Sequence, residues 1–87
     1  MWDELKRRTN IENHGLDFMD ARIRFDFREA LIEPTYPSKD GRARFTAIGP
    51  LNNDIVTAVF SPLGREGLSI ISLRPASRKE RKRYERS

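Results

Sequence analysis

The sequence predicts an α+β fold: two N-terminal helices, a three- or four-stranded antiparallel sheet and a C-terminal helix. Three observations predict it. Residues 3–14 hold no Gly or Pro, and Gly15 follows them. After Arg28 the pattern turns to short apolar or alternating runs separated by turn residues. Ser77-Arg78-Lys79-Glu80 then matches the S-x-x-E capping box that opens a helix.

Each element follows in order. Residues 3–14 read as one helix, stopped by Gly15 just past its end, where a left-handed backbone is common. Its apolar face is thin: Trp2 and Leu5, with Ile11 nearly opposite. Asp17 can N-cap a second helix running to about Arg24. Phe18, Ala21 and Phe25 recur at i, i+3 and i+7, the spacing of one buried stripe. Residues 30–36 form a short apolar run with Pro34 inside it, which confines them to an edge or a bulge. Lys39-Asp40-Gly41 is a turn. Residues 42–49 alternate: Ala43, Phe45 and Ala47 face one way, Arg42, Arg44 and Thr46 the other. Asn52-Asn53-Asp54 is a second turn, residues 55–61 a β-branched strand, residues 62–67 a third turn and residues 68–73 a last strand stopped by Pro75. Short links between successive strands imply a meander, with the helices packed on one side of it. Residues 78–86 form the last helix, with Tyr84 its clear apolar anchor.

Composition narrows the function classes. At 87 residues the chain is expected to be a single domain with a small core. It has no cysteine, which excludes disulfides, thiolate nucleophiles and Cys-ligated zinc. No apolar run approaches the roughly 18 residues of a membrane helix, so neither a span nor a signal peptide is expected. The 17 basic and 13 acidic residues give +4. That excess is local. From Arg74 onward seven basic and two acidic residues give +5, whereas the first 73 residues sum to −1. The capping box turns this basic segment from a tail into a strand-to-helix corner.

A second pattern lies on the first helix. Lys6, Asn10 and His14 recur every four residues, a stripe about 80° wide. Lys6 can position phosphate, and His14 can act as general acid or base. Equally, a His before a C-terminal Gly can bond the helix's own carbonyls, and Asn10 can bridge to a strand. Trp2, Phe18, Phe25, Phe45 and Phe60 are expected in the core or an interface. Trp2 can pack across the first helix or meet a partner.

Trp2-Asp3, Lys6, Asn10, His14-Gly15, Phe18, Ala21 and Phe25 together resemble the W-D-x-x-K-x-x-x-N-x-x-x-H-G-h-x-F-x-x-A-x-x-x-F signature of the BrnT family, toxins of type II toxin–antitoxin modules. Residues 44–49 are similar to that family's E-R-x-x-x-I-G strand. Residues 70–77 with Glu80, Arg81 and Tyr84 resemble its R-I-I-S-A-R-x-A-[ST]-x-x-E-R-x-x-Y ending. The chain departs from these patterns at four places. Ala43 replaces Glu, Asn13 stands where Lys is common, Leu68-Ser69 where Arg-Ile is common, and Leu73 replaces Ala. The family's short strand before Trp-Asp has no counterpart.

The resemblance implies a RelE-like endoribonuclease of the cytoplasm that inhibits translation and arrests growth. It implies a BrnA-like ribbon-helix-helix antitoxin in a 2:2 complex, with operator DNA bound only through that antitoxin. It implies no metal and no cofactor. RNA cleavage without metal uses the substrate's 2′-OH as nucleophile and leaves a 2′,3′-cyclic phosphate. The protein must then activate that hydroxyl, stabilise the dianionic phosphorane and protonate the leaving 5′-oxygen. Arginine suits the second task, since its planar fork donates two hydrogen bonds and keeps its charge. The catalytic candidates are Arg44 and Arg74, on predicted strands, with His14 and Lys6. Arg78, Arg81 and Lys82 are candidates for holding RNA phosphates. Trp2, Asn10, Ser77, Glu80 and Tyr84 are candidates for structural roles. The lost Glu before Arg44 motivates an alternative: a basic module that binds an antitoxin, and nucleic acid, without cutting.

Overall fold

A computed structural model describes residues 1–65 and 67–87. Glu66, inside the predicted turn at 62–67, lies outside the described residues. Three helices and four strands follow the order α1 (Glu4–His14), α2 (Phe18–Arg24), β1 (Leu31–Thr35), β2 (Arg44–Leu51), β3 (Asp54–Leu63), β4 (Gly67–Pro75) and α3 (Arg78–Arg86). The sheet is an antiparallel meander in the order β1-β2-β3-β4. The α+β expectation holds, with four strands at the upper end of the predicted number. Among the described residues no helix is long and apolar enough to cross a membrane.

Local chemistry sets the ends. Asp3 N-caps α1 through the Leu5 amide, and Gly15 closes it at φ 67, where a Cβ would be strained. Asp17 caps α2 through the Met19 amide at 3.0 Å and also takes Arg7 in a two-point pair of 2.7 and 2.9 Å. Arg7 is the main cause that holds the Asp17 carboxyl down at about 2. One side chain thus caps α2 and ties it to α1. Asn52 and Asn53 both have positive φ, 50 and 66. That is the requirement of a two-residue type I′ hairpin, closed by the Leu51–Asp54 pair.

Strands β2, β3 and β4 run past the predicted ends, through Pro50, Pro62 and Pro75. Each proline stands where a neighbouring strand is missing. β1 has ended at Leu31, opposite Ile48, before Pro50 is reached. The β2–β3 ladder stops at the Phe45–Phe60 pair, short of Pro62. β4 is an edge strand. No ladder bond is lost in such places.

The core lies between α2 and one face of the sheet. Phe18, Ala21 and Phe25, the predicted stripe, are buried with Ala47, Leu51, Val56, Ala58, Phe60, Ile70 and Leu73. Trp2 meets Phe18 edge-on at 6.2 Å and donates its indole N–H to Glu4. It therefore packs across the start of α1. Gly49 packs closely: a Cβ there would stand 3.3 Å from the Phe25 ring, which would have to give by a few tenths of an ångström.

The helices do not all pack on one side. The alternate face of the sheet carries Ile48, Thr57 and Arg74, which are neighbours in register. Ile48 and Thr57 are fully buried there. α3 lies over this second face, bonded to Arg74 of β4 through Glu80 and to Glu33 of β1 through Arg83. A strand buried on both faces is apolar on both, which is why residues 55–61 do not alternate.

Candidate functional site

The outer edge of β4 is met by the Asn10 side chain and the Met1 backbone and not by another strand. Asn10 donates to Leu73 O at 2.6 Å and Leu16 O at 2.9 Å, and its Oδ1 accepts from the Leu73 amide at 3.0 Å. A carboxamide offers the same donor and acceptor as a peptide group, so it pairs with the strand edge as a neighbouring backbone would. Further along, the Met1 ammonium donates to Leu68 O, and Met1 O accepts from the Ile70 amide. These contacts fix α1 along the β4 edge. Lys6 and His14, one turn either side of Asn10, then line one open groove of about 360 Å³ with Thr9, Asn13, Ile71 and Ser72. The predicted stripe is therefore real. Its centre is buried and structural, and its two ends are exposed.

A β-bulge shapes the floor. Val59 pairs with Ser72 and Phe60 with Ile70, which leaves Ile71 as the extra residue. The bulge shifts the alternation of β4, so Ile70 and Leu73 both enter the core. Ile71 and Ser72 both line the groove.

A second, smaller cleft of about 160 Å³ is lined by Lys6, Asp40, Arg42, Arg44 and Ile71 and by Ser38, Ser61 and Ser69. Lys6 and Ile71 line both clefts, so the two adjoin. His14 lies in the larger one, Arg44 in the smaller one, and Lys6 borders both. Arg44 has no carboxylate partner among the described residues, and its Nε is buried without a hydrogen-bond acceptor.

Arg74 stands apart from this cluster. Arg44 precedes Ile48 by four residues on the same face, and Ile48 is in register with Thr57 and Arg74. Strand rise and spacing put the two arginine Cα atoms roughly 16 Å apart. Arg74 is also committed: it donates to Glu80 Oε1 at 2.6 Å and Oε2 at 3.0 Å. Glu80 accepts from the Ser77 amide at 2.8 Å, and Ser77 Oγ accepts from the Glu80 amide at 3.2 Å, completing the predicted capping box. Arg74 is the main cause that holds the Glu80 carboxyl down at about 2, aided by the Ser77 amide. The buried Thr57 hydroxyl adds least, its geometry falling short of a full hydrogen bond. Glu80 in turn raises the Arg74 guanidinium above its usual range.

On α3, Arg78 and Lys82 are exposed one turn apart and have no ion-pair partner among the described residues. Arg81 is tied to Asp54 at 2.7 Å, and Arg83 to Glu33 at 3.2 Å. Tyr84 is half-buried, as an anchor should be. Sequence reasoning did not single out Ser38, Arg42, Ser69 or Ile71. Arg42 was visible as the second cation of the alternating run. Ser69 and Ile71 were not, because the bulge changes which face they take.

Residues 2–80 match the family described as the ribonuclease toxin BrnT of type II toxin–antitoxin systems. The crystal structure of the Brucella abortus ribonuclease toxin BrnT is similar, with 47% identity and a TM-score of 0.73 over 90% of this chain and 95% of that one. No curated protein matches the sequence. With the signature residues spread over α1, α2, β2, β4 and α3 and the family match spanning nearly the whole fold, this chain belongs to the BrnT family of ribonuclease toxins of type II toxin–antitoxin systems.

Proposed function

We propose that the chain is a metal-independent endoribonuclease that cuts RNA by 2′-OH attack in the groove between α1, β4 and the start of β2. The observation that carries this reading is the adjacency of the two clefts, which places Lys6 between His14 of the one and Arg44 of the other. His14 is exposed at the end of α1 and free to exchange a proton with the 2′-OH or the leaving oxygen. Lys6 and Arg44 face the same space and stabilise the phosphorane. A well-placed donor of this kind contributes about 3 kcal/mol. Arg74, locked by Glu80, serves a second point on the RNA chain. Arg78 and Lys82 hold phosphates beyond it, and Arg81 contributes less because Asp54 neutralises it.

A toxin of a type II module has an antitoxin partner. In this reading it is a BrnA-like ribbon-helix-helix protein in a 2:2 complex that covers the cationic face. The complex acts in the cytoplasm and meets operator DNA only through the antitoxin. Released toxin cuts RNA, which inhibits translation. Substituting Arg78 and Arg81 with Glu should weaken antitoxin binding, and unchanged affinity would refute that placement.

Two observations favour a second reading, a non-catalytic module: Ala43 in place of Glu before Arg44, and the neutralisation of Arg74 by Glu80. One experiment separates the two. Antitoxin-free protein is incubated with mixed-sequence RNA in EDTA, and 2′,3′-cyclic phosphate ends are assayed beside Arg44→Ala. Cleavage by the parent alone supports the enzyme. No cleavage by either protein supports the module.

A further inference from the structure

We propose that the smaller cleft is a phosphate subsite, in which Arg42 and Ser69 grip a phosphodiester adjoining the one that is cut, with Lys6 and Arg44 bridging the two phosphates. This rests on the reading of the larger groove as the place where RNA reacts. Three cations line the cleft against a single acid, Asp40. That acid is engaged within its own turn: Asp40 accepts from Ser38 Oγ, and Arg42 Nε lies 3.6 Å from its other oxygen. Arg42 and Ser38 are fixed by the same turn, since the Ser38 amide donates to Arg42 O at 3.0 Å and the Arg42 amide to Ser38 Oγ at 3.0 Å.

Ser61, which also lines the cleft, donates its hydroxyl to Ala43 O at 2.9 Å, but the other groups lack partners. Among the described residues neither Lys6 nor Arg44 has a carboxylate, the Ser69 hydroxyl makes no hydrogen bond, and Arg44 Nε is buried without an acceptor. Arg44 enters from β2 and Ser69 from β4, so the donors converge from two strands, a turn and a helix. A tetrahedral anion with several acceptor oxygens satisfies such a set better than a planar carboxylate does. The volume of about 160 Å³ also selects for a small group. It lies below the about 300 Å³ at which pockets begin to enclose whole small ligands. A diester phosphate fits, with its base and sugar left on the open surface.

The test is a titration of inorganic phosphate into isotope-labelled protein, followed by amide shifts, with chloride as the ionic-strength control. Saturable shifts are expected at Arg42, Arg44 and Ser69, and they should be lost in Arg42→Gln and Ser69→Ala. Arg42 is exposed and Ser69 half-buried at the surface, so both variants keep the core intact. In RNA cleavage the two variants should raise KM about tenfold and lower kcat by less. Shifts spread evenly over the α3 cations, or variants that bind phosphate like the parent, would overturn the inference. The titration needs no catalysis. A protein that binds phosphate here but cuts no RNA keeps the subsite and loses the catalytic reading. Cleavage without phosphate binding at this cleft does the reverse.

Discussion

Asn10 and Glu80 are the two polar residues on which the site's geometry rests, and both are buried side chains that act through hydrogen bonds. Asn10 satisfies the amide and the carbonyl of Leu73, which a truncated side chain would leave unpaired inside the protein. Asn10→Ala should therefore cost about 3 kcal/mol, measured by urea unfolding. Asn10→Asp should fare no better, because a carboxylate would face the Leu73 and Leu16 carbonyls. Glu80 gives a pH signature. Its carboxyl lies at about 2 in the folded protein against an ordinary 4.5. A depressed carboxyl stabilises the fold fully above its unfolded value and loses that contribution as pH falls toward the folded one. Stability should thus decline between about pH 4.5 and 2, and Asp17 adds to the decline in the same direction. Glu80→Gln should cost about 2 kcal/mol at neutral pH and flatten the decline only in part. An unchanged acid profile would show that Arg74 and Glu80 do not pair in solution.

α3 is the element whose place in the fold depends most on charge. It buries Glu80 and half of Tyr84, and it is held across the sheet by pairs to Arg74, Asp54 and Glu33. The two outer pairs are exposed and contribute at most about 1 kcal/mol each. The cap matters comparably: Ser77→Ala should cost about 1 kcal/mol and speed amide exchange in α3 before exchange in the sheet. Uniform acceleration throughout the protein would show that α3 does not open separately. The capping box was legible in the sequence because it is local chemistry. So were the phenylalanine stripe of α2 and the Asn-Asn turn. The bulge at Ile71 was not, because it exists only in the pairing of β4 with β3. The position of α3 was hidden for a related reason. Arg42, Arg44 and Thr46 make the second face look solvated, whereas Ile48, next in the same alternation, is fully buried under the helix.

At the scale of the molecule, the +5 of the C-terminal segment is smaller in effect than its count suggests. Beyond Glu80, which that sum already counts, Asp54 and Glu33 from outside the segment neutralise Arg81 and Arg83 and leave about +3. Lys6, Arg42 and Arg44, which belong to the near-neutral remainder of the sequence, supply a second positive surface at the groove. Both surfaces belong to the second side of the sheet, with α1 at its edge, so one RNA strand can cross from the groove to α3. Replacing Arg78 and Lys82 with Gln should lower the log–log salt slope of single-stranded RNA binding by about 1.4, at about 0.7 per lost phosphate contact. The sequence distinguished a basic corner but could not show how much of it is spent on internal pairs, since Asp54 and Glu33 lie far away along the chain.

The most direct test of the groove as a catalytic site is cleavage of mixed-sequence RNA by antitoxin-free protein in EDTA, comparing the parent with Arg44→Ala and His14→Ala. Cleavage with 2′,3′-cyclic phosphate ends is expected, falling about 100-fold in Arg44→Ala and at least as far in His14→Ala. Absence of cleavage, or variants that cut as fast as the parent, would contradict the assignment of chemistry to this groove.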